Sequence, residues 1–359
     1  MGTPISELPL STNPPNAADL LPIVQGGVTK QTTLGALFSQ LLAVTSTYPR
    51  TVIDRALDLP SILDQIPASL HAGIRARTDT TDLSAYVAAA YVLSDLYYWP
   101  AGKYNFDSSI NLTAIYGAGI VGAGGNASTS YSTDATEIII RASNTPGLRV
   151  QGPVRLENFY IAYSTQQTVG QTSSRTVELN NLADATVSNI KAEYGNVNFG
   201  IPQSAFGATV YNVFFNTDIY NLYSFSASAV HYDFRCYNGG GTNVFISNLY
   251  ANGGGSLDFV TPGQSCNYIL RGLNWQGWKI ATSSFDGMPV DLLPVDLENC
   301  VGNWSCIRFE GIDYNAAAGA WIKFLGGYGL FEFSVADWIG CKWTPSVATT
   351  MYLFWTAQT

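Results

Sequence analysis

Leu156-Glu-Asn158-Phe159, Val187-Ser-Asn189-Ile190, Ile219-Tyr-Asn221-Leu222 and Ile246-Ser-Asn248-Leu249 repeat one pattern: an apolar residue, a variable residue, asparagine and an apolar residue. Three later segments fit it with Asn or Gly in third place, namely Leu270-Arg-Gly272-Leu273, Leu297-Glu-Asn299-Cys300 and Trp338-Ile-Gly340-Cys341. The successive gaps at the Asn/Gly position are 31, 32, 27, 24, 27 and 41 residues. A drifting period of this size indicates stacked structural repeats.

Alternation of apolar and polar residues within each segment is typical of a strand with one buried face. An Asn or Gly between two apolar residues marks a bend with locally left-handed backbone. A propeller or a sandwich would need a hairpin signal at every second strand, and few occur. The pattern therefore predicts an all-β, right-handed parallel β-helix. Its two inward columns are predicted to be Val187, Ile219, Ile246, Leu270, Leu297 and Trp338, and Ile190, Leu222, Leu249, Leu273, Cys300 and Cys341.

Composition narrows the function. Of 359 residues, 47% are hydrophobic and only 12% charged, with a net charge of −9, so neither a disordered chain nor a nucleic-acid-binding protein is expected. No apolar run of 18 residues and no signal peptide are present, so we expect no membrane insertion and synthesis in the cytoplasm. The odd set of five cysteines has no CxxC spacing, so all five are predicted to be buried small hydrophobic residues. We expect no metal and no cofactor.

The chain divides into three predicted regions. Residues 1–45 contain a hairpin in which Gly26-Gly27 precede a strand over Val28–Thr33, and this region is too small to bury a core alone. Residues 46–78 read as a helical or irregular neck. Residues 79–359 carry the β-helix, entered through a helix over Leu83–Val92.

Two stretches resemble a known family. Ile5-Ser-Glu-Leu-Pro9, Ala18-Asp-Leu-Leu-Pro-Ile-Val-Gln-Gly-Gly27 and Thr29-Lys-Gln-Thr32 resemble the virion-attachment module of bacteriophage tailspikes and tail fibres. Tyr98-Trp-Pro-Ala-Gly-Lys-Tyr104 and Tyr116-Gly-Ala-Gly119, after the helix, resemble the entrance of pectate-lyase-like β-helices. The resemblance implies a homotrimeric virion spike that docks on tail or baseplate proteins through residues 1–45. It also implies recognition, and often cleavage, of host surface polysaccharide.

The chain departs from that family at its end, because Leu353–Thr359 offer no evident cap or trimerisation stalk. Either a longer spike continues beyond this sequence, or a partner supplies the remainder.

Cleavage of a glycosidic bond needs two carboxylates, and Asp296 and Glu298 flank an inward Leu297 so that both should point outward. Arg271 is predicted one coil before Glu298, where its charge would keep the pKa of Glu298 low. Glu310 and Asp313 follow as further catalytic candidates. Alternatively, Asp296 and Glu298 simply line a solvated strand face, or contact sugar without catalysis.

Trp275, Trp278 and Trp304 lie on neighbouring coils, and with Arg271 they are the candidate glycan-binding residues, although an aromatic residue in such a coil is more often core. A second candidate is His231-Tyr-Asp233, which would place a histidine and a carboxylate on one face.

Four functions remain open. The first is a spike that binds glycan, and the second is the same spike acting as an endo-glycosidase or a lyase. The third is a structural baseplate or adaptor protein that carries another fibre. The fourth, a free-standing secreted lyase, has no use for residues 1–45 and no signal peptide.

Overall fold

The computed structural model describes residues 20–25, 28–33, 60–113, 115, 117–124, 135–202, 214–236, 241–253, 265–310, 312–314, 319–325, 331–339, 341–343 and 351–357. The chain forms two compact units, Met1–Pro60 and Ser61–Thr359. In the first, strands β1 (Leu20–Gln25) and β2 (Val28–Thr33) pair antiparallel, which confirms the two predicted hairpin strands. The connecting Gly26 and Gly27 lie outside the described residues.

The second unit begins with three short helical segments. A 3-10 turn covers Ile62–Gln65, helix α1 covers Ala68–Arg75, and helix α2 covers Ser84–Ala90. Ile62 and Ile74 are fully buried in the core of this unit. The unit therefore starts at Ser61, inside the segment that the sequence assigned to a neck over residues 46–78.

Two long sheets and one short sheet follow. The nine-stranded sheet contains β5 (Ile110–Asn111), β8 (Leu148–Gly152), β10 (Arg175–Leu182), β12 (Val197–Gly200), β14 (Val230–Arg235), β16 (Tyr268–Leu273), β19 (Val295–Glu298), β22 (Gly319–Leu325) and β25 (Met351–Ala357). The eleven-stranded sheet contains β3 (Leu96–Trp99), β4 (Gly102–Phe106), β6 (Gly119–Gly122), β7 (Thr136–Ile140), β9 (Arg155–Tyr163), β11 (Thr186–Glu193), β13 (Phe215–Phe225), β15 (Gly241–Asn252), β17 (Trp275–Asp286), β20 (Val301–Glu310) and β23 (Phe331–Ile339). The short sheet contains β18 (Pro289–Val290), β21 (Asp313–Tyr314) and β24 (Lys342–Trp343).

The chain alternates between the two long sheets from β8 onward, and the described strand pairs within them are parallel. Each coil thus adds one strand to each sheet and stacks on the coil before it. This is a parallel β-helix, as predicted.

The inward columns differ from the prediction in the later coils. Val187, Ile219 and Ile246 do stack, but the next residues in register are Ile280 and Trp304, so this column stays within the eleven-stranded sheet. The remaining predicted members, Leu270 and Leu297, belong to the nine-stranded sheet instead. Trp338 stacks on Phe309, with ring centroids 5.7 Å apart. Both sheets bury alternate residues, so one short pattern matched both.

An asparagine ladder runs along the eleven-stranded sheet. Asn158, Asn189, Asn221 and Asn248 all adopt positive φ, between 52° and 62°. Each side-chain amide donates to the Oδ1 of the previous one, at 3.0, 2.7 and 2.8 Å. In register, the position then passes to Thr282 and Cys306, which also have positive φ.

At Gly272 the glycine is required by a close contact rather than by a left-handed backbone. A Cβ at Gly272 would lie 2.4 Å from the ring of Trp275, so the close approach of that ring excludes any side chain.

The cysteine prediction is confirmed for Cys236, Cys266 and Cys300, which are buried. It is wrong for Cys306, which is exposed, and for Cys341, which is half-buried. Cys306 points away from the core because it occupies the ladder position, two residues after the buried Trp304 and directly before the buried Ile307.

Candidate functional site

The four predicted carboxylates lie in three different places. Asp296 and Glu298 are both outward on β19, as the alternation predicted, and they belong to the nine-stranded sheet. Glu310 ends β20 in the eleven-stranded sheet, and Asp313 begins β21 in the short sheet. They therefore do not form one site.

Asp296 lies between two cations rather than beside an open groove. Its carboxylate is 3.4 Å from Nη2 of Arg271 and 3.8 Å from Nζ of Lys323. Arg271 was expected in register with Glu298, but the residue opposite Arg271 is Asp296, and Glu298 lies opposite Leu273. An ion-paired carboxylate between stacked coils favours a structural role for Asp296.

This ion pair belongs to a longer column on the outward face of the nine-stranded sheet. Adjacent coils place in register Arg149, Glu178, Gly200, Asp233, Arg271, Asp296 and Lys323, which we call the ionic column. Arg149 bonds Glu178 at 2.7 Å, and Asp233 pairs with Arg235 on its own strand at 2.5 Å. Each carboxylate of the ionic column has a basic partner.

The tryptophans do not form a sugar platform. Trp275, Trp278 and Trp304 are each 0% exposed. The rings of Trp275 and Trp278 stack at 4.5 Å, and their Nε1–H groups donate to the carbonyls of Phe234 and Gly241. The expectation that these rings are exposed is wrong, because each faces the core on an alternating strand.

The pair His231 and Asp233 is also divided. His231 is fully buried, its Nδ1 lies 2.7 Å from Oγ of Ser224, and burial lowers its pKa to about 3. Asp233 instead bonds Arg235. A histidine without solvent access cannot exchange protons with a substrate, so these two residues form no catalytic pair.

A different pair of carboxylates lies at the end of the eleven-stranded sheet. Asp286 and Glu310 are in register on adjacent strands, β17 and β20, and both are half-exposed on the outward face. Nη2 of Arg308 is 2.6 Å from Glu310, and the hydroxyl of Tyr250 donates to Asp286 at 3.4 Å. We call Tyr223, Tyr250, Asp286, Arg308 and Glu310 the carboxylate strip.

The two carboxylates have different surroundings. Burial raises the pKa of Asp286, and repulsion from Glu310 raises it further; the hydrogen bond from Tyr250 and the charge of Arg308 oppose this. Glu310 has a cation directly on its carboxylate. Two neighbouring carboxylates with unlike surroundings are the arrangement that general acid and base chemistry requires.

Two aromatic rings lie beside the carboxylate pair. Tyr223 and Tyr250 are half-exposed on adjacent strands, with centroids 6.2 Å apart. On the same strands, but before the bend at Asn221 and Asn248, Phe215 and Phe245 are 49% and 45% exposed. Flat apolar rings beside polar groups are suited to pack on the faces of sugar rings.

Beyond Tyr223, the face closes. Lys191 is 4% exposed and lies 4.7 Å from the ring centroid of Phe225, and the hydroxyl of Tyr160 donates to Glu193 at 2.7 Å. Gln166 bonds the carbonyl of Ser226 at 2.8 Å across this region. The carboxylate strip is therefore covered toward the earlier coils.

Other candidate sites carry less chemistry. Within the described residues, no three His, Cys, Asp or Glu side chains are grouped so that they could hold a metal ion. A cavity of about 180 Å³ lies between α2 and β5, remote in sequence from the carboxylate strip, and its lining includes Ser84, Ser108 and Ser109 but no charged residue. No helix in the described ranges is long and apolar enough to cross a membrane.

Sequence reasoning found Glu310 but missed Asp286. The missing signal was Ile280-Ala-Thr282-Ser283, the true continuation of the repeat, with Thr in the Asn position. Aligning it with Ile246-Ser-Asn248-Leu249 places Asp286 under Asn252 and beside Glu310.

No family model and no curated protein matches the chain. Solved structures that it resembles include the catalytic domain of Agl-KA, with 13% identity over 85% of this chain and 70% of that one and a TM-score of 0.40. ORF18 of Geobacillus virus E2 shows 12% identity over 94% and 68% of the two chains, with a TM-score of 0.45. Tailspike protein 3 of bacteriophage CBA120 shows 10% identity over 90% and 68%, with a TM-score of 0.30. At these identities and scores the resemblance assigns no activity to this chain.

Proposed function

We propose that this chain is a tailspike-type component of a phage virion that binds a bacterial surface polysaccharide and hydrolyses it at Asp286 and Glu310. The observation that carries the proposal is the half-exposed carboxylate pair, in which burial and Glu310 raise the pKa of Asp286. The half-exposed rings of Tyr223 and Tyr250 beside the pair support glycan binding. The resemblance of residues 1–45 to an attachment module supports the virion location.

The chemistry follows from the two environments. Asp286, whose pKa is raised, donates a proton from its protonated form to the glycosidic oxygen as the bond to the anomeric carbon breaks and the leaving sugar departs as an alcohol. Glu310 attacks that carbon as a carboxylate, forming a glycosyl ester. Ionised Asp286 then takes a proton from water, whose oxygen displaces Glu310 and restores both groups.

Retention of configuration is the favoured outcome. Strands in a sheet lie ~4.8 Å apart, and the carboxylates of retaining glycosidases are about 5–5.5 Å apart, whereas inverting enzymes need about 6.5–9.5 Å. Because Asp286 and Glu310 are direct neighbours in register, their spacing suits the shorter distance.

The test is to incubate the full chain with purified capsules and O-antigens and to measure release of reducing ends. Asp286→Asn and Glu310→Gln should lower the rate by about 10³-fold or more while polysaccharide binding persists. Asp296→Asn, on the other sheet, is the matched control and should retain the rate. Full activity in Asp286→Asn, or an unsaturated product typical of elimination, would contradict the hydrolytic assignment.

Assembly is tested separately. Light scattering should show a homotrimer, three times 38.7 kDa, and deletion of residues 1–45 should prevent incorporation into virions. Binding to a tail protein without binding to any glycan would favour a structural adaptor.

A further inference from the structure

The surroundings of the cleavage pair are acidic. Asp286, Glu310 and Asp337 lie on adjacent or neighbouring strands around Arg308, since Asp337 is in register with Arg308 on β23. Arg308 is bound to Glu310 at 2.6 Å, so its charge is already compensated. A sugar carboxylate placed here would meet more negative than positive charge.

Among the described residues, the two lysines of this sheet in the central coils, Lys191 and Lys279, do not reach the pair. Lys191 is in register with Arg308 but lies four strands earlier, on β11. It is buried, and burial lowers its pKa to about 8. Lys279 is exposed, but it precedes Asp286 by seven residues on the same strand, at most about 23 Å at ~3.3 Å per residue, and the bend at Thr282 lies between them. Neither can neutralise an anionic sugar at the cleaved bond.

The groups that remain suit hydroxyl groups. Tyr223 and Tyr250 offer rings and phenol groups, and Ser284 lies in register between Tyr250 and Arg308. The guanidinium of Arg308 is 43% exposed. A sugar hydroxyl oxygen can accept a hydrogen bond from it without bringing a charge into the site.

We infer that the polysaccharide cut at Asp286 and Glu310 carries neutral sugars on both sides of the cleaved bond. This inference rests on the proposed function and specifies its substrate class. A uronic-acid polymer would place a carboxylate beside two others, and repulsion between like charges at these distances is screened only in part at low salt.

The experiment compares polymers that differ in charge alone. Uronic-acid-containing capsules are tested before and after chemical reduction of their carboxyl groups to alcohols, alongside neutral O-antigens, at low and high salt. We expect binding and cleavage of neutral or carboxyl-reduced forms, at least about fivefold better than the native acidic form at low salt, with the difference shrinking as salt rises.

A charge-reversal variant sharpens the result. Asp337→Lys should improve the acidic form relative to its reduced form by about fivefold, whereas Glu298→Lys, with the same charge change on the other sheet, should not. Preference for native acidic polymer in the unmodified chain would overturn the inference and leave the hydrolase intact. Absence of binding and cleavage for all polymers in both forms would overturn the proposed function and the inference with it.

Discussion

On the outward face of the nine-stranded sheet, each carboxylate of the ionic column is paired with a cation, on a neighbouring coil for Glu178 and Asp296 and on its own strand for Asp233. On the outward face of the eleven-stranded sheet, Asp286 and Glu310 follow one another directly, with one arginine beside them. Paired charges hold coils together, whereas adjacent like charges raise a pKa and cost stability. The difference separates a face that supports the fold from a face that can do chemistry.

The largest effect expected on stability comes from breaking the ion pair in the buried part of the ionic column. Asp233 and Arg235 are 1% and 11% exposed and 2.5 Å apart; Arg308 and Glu310 are 43% and 40% exposed and 2.6 Å apart. Asp233→Ala should lower the free energy of unfolding by about 3–5 kcal/mol, but Glu310→Ala by no more than about 1 kcal/mol. Urea unfolding measures both. Equal losses would remove the distinction between the faces.

A second prediction concerns the corner where the two sheets meet, at Ser224 and His231. Burial lowers the pKa of His231 to about 3 from 6.5, so the unfolded chain takes up the proton first as the pH falls. This contribution to stability is complete above about pH 6.5 and is lost progressively below it, by about 2–3 kcal/mol at pH 4.5.

Unfolding of the native chain and of His231→Gln should be compared at pH 7 and pH 4.5. The variant should show a smaller pH dependence by that amount. An unchanged pH dependence would contradict the assignment to His231.

A smaller effect distinguishes the asparagine ladder from the single bond between Asn274 and Asn299, which lie between strands. Asn221 both donates to and accepts from its neighbours in the ladder, so Asn221→Ala should cost about 1–2 kcal/mol. Asn299 has a similar positive φ, but it is exposed and makes one such bond, donating to Asn274 at 2.7 Å. Asn299→Ala should therefore cost less than Asn221→Ala in thermal unfolding, and the reverse order would be evidence against the ladder's contribution.

The smallest expected effect is a change in the pKa of Asp286. Glu310→Gln removes the repulsion that helps to raise the pKa of Asp286, so that pKa should fall, although burial still holds it above the ordinary value. Carboxyl-carbon NMR of Asp286 measures the change. Asp296→Asn is the control, and a pKa that rises or stays constant in Glu310→Gln would show that the carboxylates do not interact.

The sequence predicted the parallel β-helix because four regular repeats, ending at Asn248, carry both the apolar alternation and the left-handed asparagine. The predicted register is wrong after Asn248. The next residue in register is Thr282, 282 − 248 = 34 residues later, and it is not an asparagine. Gly272, in the other sheet, matches the same local pattern and is predicted in its place.

The same error in register affected the predicted site residues. Alternation correctly placed Asp296 and Glu298 outward, but only the three-dimensional register decides which side chain lies opposite Arg271. Composition likewise could not tell an inward Trp278 from an outward Tyr250.

The asparagine ladder has a mechanical consequence. Its side-chain hydrogen bonds connect β9, β11, β13 and β15. In β17 and β20 the same position is occupied by Thr282 and Cys306, so the asparagine ladder ends there. In a stack of coils each coil is stabilised mainly by its two neighbours, so local unfolding should begin in the coils that lack the asparagine ladder and spread from there. Backbone amide hydrogen exchange should then be fastest in β20 and β23 and slowest in β11 and β13. The carboxylate strip would lie at the boundary between coils that open rarely and coils that open more often.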